Sequence, residues 1–250
     1  MKKTIALAII AVLLTACGPG QIFGPTITPS PTNTSTPTNT WTPTPTPTLT
    51  YTPTQTPTRV PVVLFLDDFS NPLSGWLTST YYDAKYQYSG GKYVISRPKG
   101  DYFNWSPANR RIADAVITVD LMQVSGDETT SAVILWRFQD RDNFYYLGIN
   151  SGNGMYMVEK KLRGIWQILQ DWTPSDSINK ILETNNAVIS LHGDVFTIYI
   201  NGHYLTSFTD SDFETGDFSL GVCASASSAV EVSFDNLVLY TYDSWTPPNE

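Results

Sequence analysis

The sequence is poor in the side chains that most often carry covalent catalysis or bind transition metals. Its 250 residues include 2 histidines and 2 cysteines. His192 and His203 both lie in or beside turn sequences, and neither is spaced with a serine, a cysteine or a second metal ligand. Such small numbers give no support to a histidine-dependent hydrolase, or to the disulfide framework of a small secreted domain.

Long hydrophobic runs are also missing. The longest, from Ile5 to Leu14, has 10 residues, whereas a transmembrane helix needs about 20. It follows two lysines and precedes two small residues, Thr15 and Ala16. That order is typical of an export signal.

Cys17 stands directly after this signal, in the sequence Leu14-Thr15-Ala16-Cys17. The four residues resemble the signal box of bacterial lipoproteins, Leu-small-small-Cys. The resemblance implies that residues 1–16 are a signal peptide and that the Cys17 thiol carries lipid, with palmitate as one chain. The protein would then be anchored outside the cytoplasm, at the cell surface or the periplasmic face of a bacterial membrane. An ordinary secretory signal cleaved nearby is the alternative.

Residues 17–61 are dominated by threonine and proline from Gly24 onward. Proline fixes φ and lacks an N–H donor, and the segment has too few apolar side chains to offset the entropy lost on ordering. We therefore expect a disordered, extended stalk, which at about 3.1 Å per residue would reach on the order of 100 Å when fully stretched. Such a stalk would hold a folded domain away from the lipid headgroups.

Positive charge is scarce in the remaining domain, residues 62–250. Lys2, Lys3 and Arg59 precede it and no acidic residue does, so 12 of the 15 basic residues and all 23 acidic residues fall within it, a net charge of −11. Nucleic acid and anionic lipid are therefore unsuitable partners. We expect a monomer whose partners are neutral or cationic.

The pattern within 62–250 is β throughout. Apolar and polar residues alternate in runs separated by turn residues, and no window shows a helical stripe with caps. The Asn201-Gly202 pair between two such runs predicts a hairpin with a type I′ turn. Many short antiparallel strands predict an all-β, two-sheet jelly-roll sandwich. The runs are Lys92–Ser96, Asp114–Val124, Ser131–Phe138, Asn143–Asn150, Gly154–Lys160, Ala187–His192, Val195–Ile200, His203–Phe208, Phe218–Cys223 and Val230–Tyr240.

Alternation within these runs predicts which side chains face the core. We assign to the space between the sheets the purely apolar sets Ala115, Ile117, Val119, Leu121; Ile134, Trp136, Phe138; and Phe196, Ile198, Ile200. The opposite side is expected to form one mixed face, containing Thr118, Asp120, Arg137, Tyr145, Tyr156, Ser190, Thr197 and Tyr199.

Neutral sugars bind to proteins by stacking on aromatic rings and pairing their hydroxyls with polar side chains. The mixed face supplies both kinds of group, and predicted loops add the aromatic residues Tyr81, Tyr82, Tyr86, Tyr88, Trp105, Trp166 and Trp172. The candidate ligand-binding residues are therefore Asp120, Arg137, Tyr145, Tyr156, Tyr199 and Trp166. For each of them a place in the core, or over a sheet edge, is the alternative. Arg137 and Asp120 could also form a cross-strand salt bridge.

Several sequence blocks resemble the bacterial concanavalin A-like jelly rolls, in the order expected for that family. The blocks are Asp67-Asp68-Phe69 with Gly75-Trp76, Trp136-Arg137-Phe138-Gln139-Asp140, Asn143-Phe144-Tyr145-Tyr146, Trp166 with Trp172-Thr173-Pro174-Ser175, the strand at 196–200 with Asn201-Gly202, the turn at 210–221, and Phe234-Asp235-Asn236. The resemblance implies the same sandwich fold. The family includes laminin-G-like modules, domains labelled 3-keto-disaccharide hydrolase, and relatives of family 16 glycosidases.

Retaining glycosidases of the family 16 type carry closely spaced carboxylates on one strand, about 5–5.5 Å apart, as acid and nucleophile. The nearest arrangement here is Glu231 and Asp235, with no carboxylate between them. We therefore assign no catalytic residue. A hydrolase or lyase acting on 3-keto-glycosides stays open because the resemblance implies it.

Asp67, Asp68, Asp235 and Asn236 lie in the presumed first and last strands, which commonly pair in jelly rolls. Carboxylate and amide oxygens suit Ca²⁺. The alternative is that these side chains satisfy strand ends and turns by hydrogen bonds.

Together these observations predict a membrane-tethered lipoprotein that displays a non-catalytic glycan- or surface-binding β-sandwich. A protein-interaction or adhesion domain using the same face is the second interpretation.

Overall fold

A computed structural model describes residues 60–100 and 102–248. The signal peptide, Cys17 and the stalk as far as Arg59 lie outside the described residues. The described part contains 15 strands and a short 3₁₀ helix, Tyr242–Ser244, and no helix in it has the length and hydropathy needed to cross a bilayer. The strands are β1 Val63–Asp67, β2 Ser79–Tyr81, β3 Ala84–Ser89, β4 Lys92–Arg97, β5 Tyr102–Pro107, β6 Ala115–Ser125, β7 Ser131–Asp140, β8 Asn143–Asn150, β9 Met155–Leu162, β10 Ile165–Pro174, β11 Asn185–His192, β12 Val195–Ile200, β13 His203–Thr209, β14 Asp217–Ala224 and β15 Val230–Thr241.

The strands form two antiparallel sheets, and this confirms the predicted jelly-roll sandwich. The larger sheet has nine strands, eight of them in the order β13-β12-β11-β6-β15-β4-β3-β2. β1 also pairs with β15, beyond the segment of β15 that pairs with β4. The smaller sheet has six strands in the order β10-β9-β8-β7-β14-β5. The first and last strands pair as expected, with Asp67 opposite Leu237.

Two tight turns show how local chemistry sets the hairpins. Asn201 and Gly202 have φ values of 51° and 80°, which confirms the turn predicted between β12 and β13. Tyr82 and Asp83, between β2 and β3, also both have positive φ, 44° and 64°. A bulky residue at positive φ is uncommon, and the sequence did not identify this turn.

The space between the sheets is filled by the apolar sets that alternation predicts. Ile117, Trp136 and Ile198 are all at most 1% exposed and belong to one continuous cluster. Burial of a large apolar side chain stabilises the folded state by about 1.5–3 kcal/mol. This cluster therefore carries most of the stabilisation of the sandwich.

The assignment of Phe138 to this core is wrong because β7 contains a bulge. Arg137 has φ of 50°, and the pairing of β7 with β8 and with β14 shifts register around it. One extra residue reverses the alternation that follows. Phe138 therefore packs on the outer side of the six-stranded sheet, while the Arg137 side chain is buried.

The expected single polar and aromatic face is also wrong. β6, β11 and β12 belong to the nine-stranded sheet, whereas β7, β8 and β9 belong to the other. Alternation sorts the two sides of one strand but does not say which sheet the strand joins. Asp120 and Tyr199 lie on the outside of the larger sheet, whereas Tyr145 and Tyr156 belong to the core.

Candidate functional site

The six-stranded sheet curls strongly, so its outer side is concave. If six strands lay flat, β5 and β10 at the two edges would be about 24 Å apart. Yet the ring centroids of Phe103 on β5 and Trp166 on β10 are 5.8 Å apart. Side chains from both edges therefore converge over the middle of this sheet.

Aromatic rings fill the centre of the concave side. Phe144 and Tyr146 are buried there, and Phe103, Trp105 and Phe138 pack against them. Trp166, one of the predicted ligand-binding residues, contacts Phe103, Phe144 and Tyr146 and remains 40% exposed. The concave side is therefore a packed aromatic surface with an exposed rim.

An open space lies between β2–β4 of the larger sheet and β5 of the smaller sheet. We call it the edge cleft, and its volume is about 660 Å³. Its size falls in the range typical of small-molecule and sugar sites. Its walls are Leu77, Tyr81, Tyr82, Asp83, Tyr86 and Arg97 on one side, and Tyr102, Phe103, Asn104, Trp105, Pro107 and Arg141 on the other.

Arg97 and Asn104 form the polar floor of the edge cleft. Arg97 continues the inward side of β4 after Tyr93 and Ile95 and is 8% exposed. Its Nη1 donates a 2.7 Å hydrogen bond to Oδ1 of Asn104 and a second one to the carbonyl oxygen of Tyr82. The second bond holds the positive-φ turn that carries Tyr82.

Exposed tyrosines form the mouth of the edge cleft. Tyr81 is 56% exposed, Tyr82 67% and Tyr102 68%. The rings of Tyr81 and Tyr82 meet edge to face with centroids 4.4 Å apart, and the Tyr102 ring covers the Arg97 guanidinium at 5.2 Å. Deeper in, the Tyr86 hydroxyl donates to the carbonyl oxygen of Trp105 at 3.3 Å.

Sequence reasoning named Tyr81, Tyr82, Tyr86 and Trp105 as loop aromatics but missed Arg97 and Asn104. A signal for Arg97 was present, because alternation puts it on the same side of β4 as Tyr93 and Ile95. An arginine on the apolar side of a strand needs partners or an opening to solvent. Asn104 gave no comparable signal, since β5 was not recognised as a strand.

Part of the predicted polar face does come together on the outside of the larger sheet. Ser190, Thr197 and Tyr199 line a depression of about 250 Å³ together with Tyr242, Asp243, Trp245 and Pro247. The Tyr199 and Trp245 rings are 5.8 Å apart. This depression is smaller than the edge cleft and lies on the outer side of the larger sheet, among residues of β11, β12 and the C-terminal segment.

The remaining predicted ligand-binding residues have structural partners. The Tyr145 hydroxyl donates to Oδ1 of Asp210 at 2.5 Å, and the Tyr156 hydroxyl donates to the carbonyl oxygen of Leu205 at 3.0 Å. Burial first, and then the bond to Asp210, raises the pKa of Tyr145. Tyr145 therefore holds the segment after β13, and Tyr156 holds β13 itself.

Arg137 and Asp120 do not form the salt bridge that we considered. Nη2 of Arg137 lies 3.6 Å from Asp114 and donates to the carbonyl oxygen of Gly193 at 3.3 Å. The carboxylate of Asp120 instead accepts hydrogen bonds from the side-chain amides of Asn186 and Asn236. The two residues lie on strands of different sheets, β6 and β7, so they cannot face each other across neighbouring strands.

The residues predicted to hold Ca²⁺ also have protein partners. Asp67 accepts bonds from the backbone N–H of Phe69 and the indole N–H of Trp76, and Asp68 accepts from Ser70. Asp235 pairs with Lys92 at 2.6 Å. Within the described residues, no group of three or more His, Cys, Asp or Glu side chains is arranged to hold a metal ion. The geometry therefore matches the alternative of hydrogen-bonded strand ends.

One carboxylate on the concave side has an altered pKa. Glu159 follows Met157 on the outward side of β9, opposite Tyr146. Burial, and then the charge of Asp171, raises the pKa of Glu159. A carboxyl group in such surroundings can hold a proton closer to neutral pH than usual.

Comparison with known proteins supports the fold alone. No family model matches the chain, and no curated protein matches it. Among solved structures, the chain is similar to the carbohydrate binding module CBM66 from Bacillus subtilis, with a TM-score of 0.54 and 18% identity over 66% of this chain and 95% of that one. It is also similar to a Bacillus licheniformis β-glucanase, with a TM-score of 0.54 and 12% identity over 71% and 97% of the two chains. A third similar structure is a Bacillus subtilis protein of unknown function with a galectin-like fold, with a TM-score of 0.54 and 9% identity over 72% and 96%.

Proposed function

We propose that this domain is a glycan-binding module and that the edge cleft is its binding site. The observation that carries the proposal is the combination of exposed tyrosine rings at the mouth with a buried Arg97–Asn104 pair at the floor. A sugar offers an apolar ring face and a rim of hydroxyls, and these two kinds of side chain match them. The similar structures include a carbohydrate binding module and a glucanase, which agrees with such a role.

The depth of the cleft suits one or a few sugar units at the end or a bend of a chain. Tyr81 and Tyr82 would stack on a ring from the mouth. Arg97 and Asn104 would pair with groups that reach the floor. Polar groups fixed by hydrogen bonds before binding lose little freedom when a ligand arrives, and this favours affinity.

The module would be displayed outside the cytoplasm on a lipid anchor at Cys17 and a Thr/Pro stalk. The lipoprotein signal box and the proline-rich composition of residues 17–61 support this part of the proposal. A lipid tether contributes about 0.8 kcal/mol per buried methylene, so two or three acyl chains would hold the protein at the membrane for long periods.

Glycan-array binding followed by calorimetry tests the proposed site. Tyr81→Ala should weaken binding of a positive glycan roughly tenfold, because a stacking surface at the mouth is lost. Tyr204→Ala is the matched control, because Tyr204 is also an exposed tyrosine, 46% exposed, but lies on β13 away from the cleft. Equal effects of the two substitutions, or no binding on the array, would contradict the proposal. Capture of an envelope protein instead would support the adhesion interpretation.

Glycoside cleavage, including that of 3-keto-glycosides, is a second candidate function. The observation that favours it is Glu159, which lies on the concave side opposite Tyr146 and has a raised pKa. Glu159 does not line the edge cleft, so a bound glycan would have to extend along the concave side to reach it. A carboxyl group with a raised pKa among aromatic rings can act as a general acid. Glu159→Gln should abolish turnover while leaving binding in the edge cleft intact. If the unaltered protein releases no sugar from any glycan that it binds, this second function is ruled out.

A further inference from the structure

The guanidinium of Arg97 has an unused side. Nη1 makes both of the hydrogen bonds described above, whereas the buried Nε has no partner among the described residues. Arg97 also takes part in no ion pair within residues 60–100 and 102–248. The Nε–Nη2 edge is therefore the part of the guanidinium that residues 60–100 and 102–248 leave for another acceptor.

The local charge of the edge cleft is opposite to that of the domain. Among the residues that the structure describes, its lining holds two arginines, Arg97 and Arg141, and one carboxylate, Asp83. The domain as a whole has 12 basic and 23 acidic residues. A positive recess in a negative protein selects for a negative group at that one place, because the surrounding charge disfavours anions elsewhere. The neutral or cationic partners expected from the net charge alone are therefore not the ones that this recess favours.

We propose that the edge cleft binds a sugar that bears a carboxylate, that is, a uronic acid unit of an acidic glycan. This inference rests on the proposed function and names its ligand class. The two carboxylate oxygens match the Nε–Nη2 edge of Arg97 in a bidentate pair. Arg141 supplies a second positive charge at the mouth, and Tyr81 and Tyr82 stack on the sugar ring.

Nε of Arg97 is buried in the free protein, so a carboxylate can reach it only if a neighbouring side chain moves, and we assign that movement to Tyr102, whose ring lies over the guanidinium. Tyr102 is 68% exposed, and few contacts oppose that rotation. A neutral hydroxyl brings no negative charge to the two donors of the edge, so a neutral sugar gains less from the same movement. The preference for a carboxylate therefore comes from charge and from geometry together.

Binding of polygalacturonate and alginate, each compared with its methyl ester, tests the inference. Esterification removes the charge and keeps the sugar, so the acidic forms should bind roughly tenfold or more tightly than the esters. A neutral β-glucan is the third probe. The affinity for the acidic polymers should also decrease as salt is added, because salt screens the attraction between charges.

Three single substitutions test whether the charges that line the cleft determine the binding, and each has its own expected effect. Arg141→Ala should weaken binding of the acidic polymers several-fold. Asp83→Asn should strengthen that binding, because the substitution removes the one carboxylate among the described lining residues. Asparagine also tolerates the positive φ of this position. Both residues are exposed, so both variants should fold. Arg111→Ala, which removes an exposed arginine outside the cleft, is the control and should change nothing.

The possible failures are distinguishable. Equal binding of acids and esters, or binding of the β-glucan alone, overturns the carboxylate inference and leaves the glycan-binding proposal in place. Binding of no glycan overturns both. Binding of acidic polymers that Arg141→Ala and Arg111→Ala weaken equally would also overturn the inference, because the effect would then come from general charge.

Discussion

Arg97 and Arg137 are both buried arginines, and the surroundings of each residue determine what it can do. Arg97 opens onto the edge cleft and has one unused edge. Arg137 is enclosed between the sheets beside Phe196, and its Nε and Nη1 have no partner among the described residues. Burial lowers the pKa of Arg137, and the charge of Asp114 opposes that effect. Arg97 can serve a ligand, whereas Arg137 costs free energy in the core.

Arg137→Met should raise the free energy of unfolding by about 1 kcal/mol, because it removes buried donors that lack partners and keeps most of the volume. Asp114 is exposed enough to be solvated once its distant partner is gone. Arg137→Ala should lower the same free energy, because it leaves a cavity. Urea unfolding of the three proteins checks both signs. Equal losses in both variants would show that the guanidinium stabilises the fold.

The Lys160–Asp210 pair predicts a dependence of stability on pH. Burial alone would raise the pKa of Asp210, but hydrogen bonds from Lys160 and Tyr145 outweigh it, and the pKa lies below its ordinary value of 3.8. A carboxyl group whose pKa is lower in the folded state stabilises the fold above the unfolded pKa and loses that contribution as the pH falls below it. Thermal unfolding should therefore shift to lower temperature below about pH 4. Asp210→Asn should show a flatter profile, and an unchanged profile would contradict the assignment.

At the scale of elements, the bulge in β7 decides which side chains reach the core and which reach the concave side. It turns Arg137 inward and Phe138 outward, into contact with Trp105 and Phe144. Gly216 passes so close that a Cβ there would lie 2.2 Å from the carbonyl carbon of Arg137. The backbone at the bulge therefore requires a residue without a side chain at position 216, and a substitution of Gly216 would disturb the bulge.

Gly216→Ala should destabilise the protein by about 2 kcal/mol or more, because the clash is with backbone atoms that cannot move away. Gly193→Ala is the comparison. It has φ of 56° and nothing within 4 Å of an added Cβ, so only backbone strain, about 1 kcal/mol, is expected. Chemical denaturation measures both losses. A Gly216 variant as stable as the Gly193 variant would show that the strands separate easily here.

The strands also show how much of the fold could be predicted from the sequence. Ten alternating runs and the Asn201-Gly202 turn predicted strands that the structure contains, from Lys92 to Thr241. β2, β3, β5 and β10 were missed because they are rich in polar and aromatic residues, and the turn between β2 and β3, at Tyr82-Asp83, has no glycine. The prediction that Tyr81, Tyr86, Tyr88, Trp105, Trp166 and Trp172 lie in loops is therefore wrong, since these residues lie on those four strands. Alternation also could not assign a strand to a sheet, since that depends on pairing between distant segments. The edge cleft lies between two such missed strands, and so its floor was not predicted.

At the scale of the whole molecule, the core is filled, and the space available to a ligand lies at the edges of the two sheets. The interior is filled by apolar side chains from both sheets, and the concave side is filled at its centre by its own aromatic rings. The edge strands β2 and β5 end the two sheets beside each other and leave the cleft between them. The proposed binding site can therefore vary in sequence without loss of the core.

Cys17→Ser should move the protein from the membrane fraction to the soluble extracytoplasmic fraction, because the proposed lipid cannot be attached. Ser35→Ala, within the stalk, is the control and should leave the distribution unchanged. Fractionation followed by immunoblotting measures both. Retention of the Cys17 variant at the membrane would contradict the proposed anchor and would not affect the binding site.

The most direct test of the central claim is to locate a bound oligosaccharide on the domain by the chemical shifts of the protein. Titration with a glycan that binds should perturb Tyr81, Tyr82, Asn104 and Trp105, and should leave Tyr199 and Trp245 on the larger sheet unchanged. Perturbation confined to Trp166 and Trp172 on β10, or to Tyr199 and Trp245, would place the site elsewhere and contradict the account.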